Sequence, residues 1–228
     1  MSDHTPDARP SEAGYQPDPA AEVRMLIDAF FAALAEAIPE RHDDLIWRLR
    51  AGHERLLADQ GHRVIDEASG HNLALSLAVL TGYQELSGRF GDAELLPLLR
   101  TAFVEPMRAT VQQATAAALD AAADPFAAMV EISRLRERYA FGAGFTFTHP
   151  RDDDSHYVAQ VERCYYHDVL SANGAAHLTP VFCAFDSNWI DVIHPERHGF
   201  TFDRPTTIGT GGQNCPFRFR RTRTPTER

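Results

Sequence analysis

"FGAGFTFTHPRDDDSHYVAQVERC", Phe141 to Cys164, is where the chain changes its period. Within it "GFTFTH" and "HYVAQVERC" alternate polar and apolar residues, the pattern of a strand with one buried face. The same alternation returns near the C-terminus in "GFTFDR" and "CPFRFRRT". Strands gathered in one half, after a half without them, predict an α+β fold rather than a helical bundle.

Outward toward the N-terminus, residues 21–140 read as a helical region. "VRMLIDAFFAALAEAI", "DDLIWRLRAGHERLLADQG", "NLALSLAVLTGYQELSGRFG" and "AELLPLLRTAFVEPMRATVQQATAAALDAA" place apolar residues three and four apart. Asp92 and Asp124 supply N-cap chemistry, the second followed by proline at the first helical position, and Gly61 and Gly91 suit helix ends. Toward the C-terminus, "HDVLSANG" and "LTPVFCAFDSNWIDVI" read as two helices, and "TIGTGGQN" joins the last two strands as a hairpin-like loop. The expected architecture is a helical N-terminal half packed on an α+β region, residues 141–221, with a small, mostly antiparallel sheet and two helices. Residues 1–20, acidic and proline-containing, read as a disordered leader without signal-peptide character, and residues 222–228 as a flexible tail.

Composition narrows the chemistry. Net charge is -10, so no basic field invites a phosphate backbone, and nucleic acid is not an expected partner. All 22 basic residues are arginine, which removes Schiff-base catalysis and the phosphate-loop lysine. Three cysteines are too few, and odd in number, for a disulfide framework; they point to a reducing cytoplasm. No apolar run spans a membrane. The apolar "LALSLAVL" serves either a core or a homodimer interface.

Candidate chemistry clusters late in the chain. Cys164 closes a strand and opens a helix, where backbone N–H groups favour a thiolate, and His167 shares its helical face as a proton acceptor. Ordinary packing is the alternative reading of a lone cysteine, and packing or surface exposure that of a lone histidine. Cys183 and Asp186, also three apart, sit on an apolar helix face with Val181, Phe182, Phe185 and Trp189, and a carboxylate there needs a cationic partner or a metal. The thiol separations are long for structural zinc, "HPRDDDSH" lacks the calcium-loop spacing and reads as a solvated acidic loop, and "GTGGQN" does not match a phosphate loop.

Together, "HNLALSLAVLTGYQELSGRFG", "ERCYYHDVL", "LTPVFCAFD" and "HGFTFDRPTTIGTGGQNCPFRF" resemble the L-2-amino-thiazoline-4-carboxylic acid hydrolase family over roughly residues 21–220. The family pattern falls on Cys164, on Cys183 with Asp186, and on Arg204, Thr207, Gly211, Gly212, Cys215, Phe217 and Arg218. Tyr165 departs from it, since the first cysteine often precedes proline. The resemblance implies hydrolysis of a small cyclic amidine at a carbon–nitrogen bond, with a heterocyclic small molecule as partner. On that reading Cys164 is the nucleophile or the ligand of a water-activating metal, His167 the proton carrier, and Asp186 the amidinium partner or general base. Arg204 clamps a substrate carboxylate, Thr207 and Trp189 line the substrate site, Cys215 is a second catalytic thiol, and Cys183 packs beside Asp186. No cofactor is identified, and a divalent metal stays open. Two other readings use the same pocket: an enzyme that forms or rearranges a nitrogen heterocycle, and a non-catalytic small-ligand-binding protein.

Overall fold

The computed structural model describes residues 18–222. Most of the segment expected as a leader, and all of the expected tail beyond Thr222, lie outside them. Helix α1 (Pro19–Glu36) starts within the last residues of that leader, where the Asp18 carboxylate accepts the Ala21 N–H. Helices α2 (His42–Gln60), α3 (Glu67–Leu86), α4 (Asp92–Ala121) and α5 (Pro125–Arg136) complete the helical half. Asp124 caps α5 through the Ala127 N–H. Asp92 does not cap α4: Gly91 occupies the N-cap, and the Asp92 carboxylate instead accepts the Tyr83 hydroxyl at 3.0 Å. A carboxylate in the first turn still suits the positive helix end.

Helix α3 organises the rest. Leu77, Ala78, Val79 and Leu80 are consecutive and all buried. Consecutive residues on a helix point in every direction, so α3 has no face for water. Helices α1, α2 and α4 surround it. Gly82 permits the closest approach, because a Cβ there would stand 2.9 Å from Leu34 and 3.1 Å from Phe30. The hydroxyls of Ser76 and Thr81 satisfy themselves on carbonyls one turn back.

A π-helical turn (Glu137–Phe141) follows α5, then Gly142 at φ +64°. A side chain at Gly142 would meet Asp66 Oδ2 at 2.5 Å and Ala68 Cβ at 2.6 Å. Only glycine fits this conformation and this closeness. Asp66 uses both carboxylate oxygens, Oδ1 on the Ser69 N–H to cap α3 and Oδ2 on the Ala143 N–H, tying the start of α3 to the entry of the sheet.

The strands are β1 (Thr146–Asp152), β2 (His156–Arg163), β3 (Phe200–Asp203) and β4 (Cys215–Arg221), in the order β1-β2-β4-β3 and antiparallel throughout. Tyr157, Ala159 and Val161 alternate inward along β2. Val161 and Cys215, paired across β2 and β4, join the main core, whereas Tyr157, Ala159, Phe200 and Phe219 pack with Phe126, Met129 and Val130 of α5 in a second cluster.

Between β2 and β3 lie α6 (Tyr165–Ala172), which also packs on α3, then α7 (Thr179–Phe185), α8 (Ser187–Ile190) and α9 (Pro195–His198). The expected second helix is broken after Phe185. Phe182 belongs to the main core and Trp189 to the second cluster, and one straight helix cannot face both. The sequence reading also lacked α9. Among the described residues, no helix is long and apolar enough to cross a membrane.

His53 on α2 is buried against Phe31, and its Nε2 lies 2.8 Å from the Ala74 carbonyl of α3. A carbonyl only accepts, so Nε2 carries the hydrogen. Burial depresses the His53 pKa below the ordinary 6.5. The unfolded chain therefore binds this proton more readily than the folded one. The stability that neutral His53 contributes is present above pH 6.5 and declines as pH falls below it. Urea midpoints at pH 7.5 and 5.5 should show a drop in the wild type that His53→Gln makes smaller.

Candidate active site

Three segments distant in sequence place their cysteines within electrostatic reach of one another. Cys164 is the N-cap of α6 in extended conformation; its side chain makes no capping hydrogen bond, though the nearby Tyr166 and His167 amides favour its anion. Cys215 opens β4, and its Sγ accepts the Ile208 N–H at 3.1 Å. Cys183 lies on α7 beneath the 3-10 turn Ile208–Thr210. A Cβ on Gly209 would stand 2.8 Å from Cys183 Sγ and 3.0 Å from Thr179, so this glycine lets the turn rest on the helix. Ionisation of any one of the three thiols would disfavour ionisation of the other two, which places all three in one electrostatic neighbourhood.

None is a preformed thiolate. Burial pushes Cys164 up to about 12 and Cys215 up to about 11, in each case against backbone N–H groups that favour the anion. Cys183 is raised for the same reason, against the Thr207 hydroxyl and the Gly209 amide. Desolvation outweighs the hydrogen bonds at every sulfur.

Asp186 faces this cluster at the joint between α7 and α8. One carboxylate oxygen accepts an Arg204 Nη1–H and the other the Trp189 Nε1–H at 3.0 Å. Arg204 also donates to the Cys183 carbonyl at 3.0 Å and lies 5.1 Å from the centre of the Phe217 ring. Burial raises the Asp186 carboxyl above the ordinary range, while Arg204 and Trp189 favour its ionised form. The Asp186 side chain keeps 25% of its surface accessible and Arg204 keeps 15%. Cys164, Tyr166 and Cys183 are likewise only half-buried among core residues. These partly accessible side chains together mark a candidate recess.

The other sequence-selected residues divide. The sulfur of Cys164 meets the His167 main chain, while the His167 ring bonds Thr179, with Nδ1 3.1 Å from Oγ1. Thr179 Oγ1 also lies 2.8 Å from the Ala176 carbonyl, and only the hydroxyl hydrogen can bridge two acceptors. His167 Nδ1 must then carry a hydrogen, which leaves Nε2 of the neutral ring bare and competent as a base. Thr207 is buried against Cys183 and Thr210, so it braces the turn. Trp189 has given its single N–H to Asp186.

Two residues escaped the sequence reading. Tyr166 stacks on Phe182 with ring centres 4.4 Å apart, and its hydroxyl donates to Asn72 of α3 at 2.9 Å. The available signals were Tyr166 two residues after Cys164 and an asparagine opening the most apolar stretch of a helix. Among the described residues, no three His, Cys, Asp or Glu side chains are grouped to hold a metal ion. A separate surface groove of about 590 Å³, lined in part by Asp66, His71, Arg138 and Tyr139, contains none of the sequence-selected site residues.

The family model described as L-2-amino-thiazoline-4-carboxylic acid hydrolase matches residues 71–219, from α3 to β4, and so covers every residue of this recess. The description names a hydrolase acting on a thiazoline. No curated protein and no solved structure matches the chain significantly.

Two measurements test this geometry. A thiol at about 12 rather than 9 holds about a thousandfold less thiolate near neutrality, so Cys164 in the folded protein should alkylate at pH 8 at least roughly a hundredfold more slowly than in urea. In ¹⁵N spectra His167 should appear as the Nδ1–H tautomer, and Thr179→Val, which removes the acceptor and keeps the volume, should give a mixture.

Proposed function

We propose that the chain, which belongs to the L-2-amino-thiazoline-4-carboxylic acid hydrolase family, opens a small carboxylate-bearing cyclic amidine at a carbon–nitrogen bond. What supports this reading is the electrostatic grouping of Cys164, Cys183 and Cys215 beside the partly accessible Asp186–Arg204 pair. A cyclic amidine acid bears a positive and a negative group a few bonds apart. An ion pair already facing the recess offers the complementary charges: Asp186 for the amidinium, and the guanidinium of Arg204, with two of its five N–H groups engaged in the hydrogen bonds to Asp186 and Cys183, for the carboxylate.

A bound cation also answers the protonation problem of the thiols. Positive charge beside Cys164 favours the thiolate and opposes the desolvation that raises its pKa. His167 Nε2 takes the thiol proton, and the sulfur bonds to the electrophilic amidine carbon, forming a tetrahedral centre. The carbon–nitrogen bond breaks as His167 returns the proton to the departing nitrogen. Water then adds to the same carbon, the carbon–sulfur bond breaks, and the thiol is restored. The net change is substrate plus one water. The Tyr166 and His167 amides at the start of α6 stabilise the sulfur while it carries charge.

Ring opening of 2-aminothiazoline-4-carboxylate, followed by product mass, is the test. Cys164→Ser should lower kcat/KM by at least about a hundredfold, and Asp186→Asn should raise KM by about tenfold or more through loss of the counter-charge. Unchanged rates in both variants, with folded circular dichroism spectra, would remove this recess as the active site.

A further inference from the structure

Asn72 on α3 is 3% exposed, and donor arithmetic fixes which way its amide faces. Its nitrogen lies 2.9 Å from the Ala140 carbonyl and 3.1 Å from the Phe141 carbonyl, at the end of the π-helical turn. Both carbonyls only accept, so both amide hydrogens are spent there, and Oδ1 faces the Tyr166 hydroxyl 2.9 Å away. Oδ1 only accepts as well, so the phenolic hydrogen points at Asn72. A phenol has one hydrogen. Any other group that reaches Tyr166 Oη meets lone pairs alone.

That oxygen lies beside the candidate site. Tyr166 follows Cys164 by two residues, its ring is held flat on Phe182, one residue before Cys183, and its hydroxyl is within electrostatic reach of both Cys164 and Asp186. Burial holds the phenol above its ordinary pKa, so it stays neutral and its hydrogen remains in place. The neutral oxygen accepts without adding a second negative charge beside Asp186.

We infer that Tyr166 sets ligand specificity in this site by accepting an N–H from the ligand's exocyclic nitrogen, with Asn72 the positioning residue that keeps the phenolic hydrogen turned away. The favoured ligand class is a cyclic amidine or amidinium, whose ring and exocyclic nitrogens carry hydrogens. The same ring acid with an exocyclic oxygen presents lone pairs to lone pairs and is rejected. The inference rests on the reading of the recess as the substrate site.

The test compares calorimetric binding of 2-aminothiazoline-4-carboxylate and its 2-oxo analogue to the full chain in a Cys164→Ser background. With Tyr166 present, the amino ring should bind roughly tenfold to a hundredfold more tightly than the oxo ring. Tyr166→Phe keeps the stacking on Phe182 and should bring the two ligands within about threefold. Asn72→Leu leaves Tyr166 in place but frees its hydrogen, and it should shift the preference the same way. A purely structural tyrosine would weaken both ligands equally, and a preference that survives Tyr166→Phe overturns the inference. Binding of neither ligand overturns it together with the proposed function. Loss of preference in Tyr166→Phe, alongside a wild type that opens no cyclic amidine, sustains the inference and removes only the hydrolase reading.

Discussion

The structure depends on a helix that has no side to give to water. Buried residues wrap the whole circumference of α3, so its burial cannot be achieved by packing on one neighbour, as an amphipathic helix would be. Helices α1, α2 and α4 cover part of it, and α6 covers another part from the far half of the chain. The demand for coverage therefore joins the two halves. It also decides where the site forms, because the helix recruited to close the core is the one that Cys164 caps.

Polar residues at the start of α3 turn this apolar requirement into a defined geometry. Asp66 holds the backbone after Gly142, and Asn72 holds the π-helical turn and Tyr166 at once. Buried polar groups of this kind are costly unless satisfied, which penalises alternative packings more than loss of apolar contact alone. The same economy governs the recess. Burial raises the thiols, the Arg204 guanidinium pairs with Asp186, and the main-chain N–H groups near the sulfurs favour the form that desolvation opposes.

Much of this was legible in the chain. The change of period at Phe141 separated helices from strands, and the antiparallel sheet follows that reading. Asp124 caps its helix as its position before Pro125 indicated. The misreadings share a cause. Asp92 resembles an N-cap locally, but Gly91 takes that position and Tyr83 engages its carboxylate. The helix through Asp186 looks continuous in sequence, but two hydrophobic clusters claim its ends.

The sequence by itself determined the period of each segment, the division into helical and α+β halves, and the residues able to carry chemistry. These follow from interactions between positions two, three or four apart, which composition and spacing encode directly. Only the tertiary structure decided that the three thiols share one neighbourhood, that Arg204 answers Asp186, and that Asn72 orients Tyr166. Tyr166 and Asn72 stand 94 positions apart, and nothing local in either residue names the other. Their pairing arises because α3 must be covered on every side, and the segment that covers it carries the tyrosine.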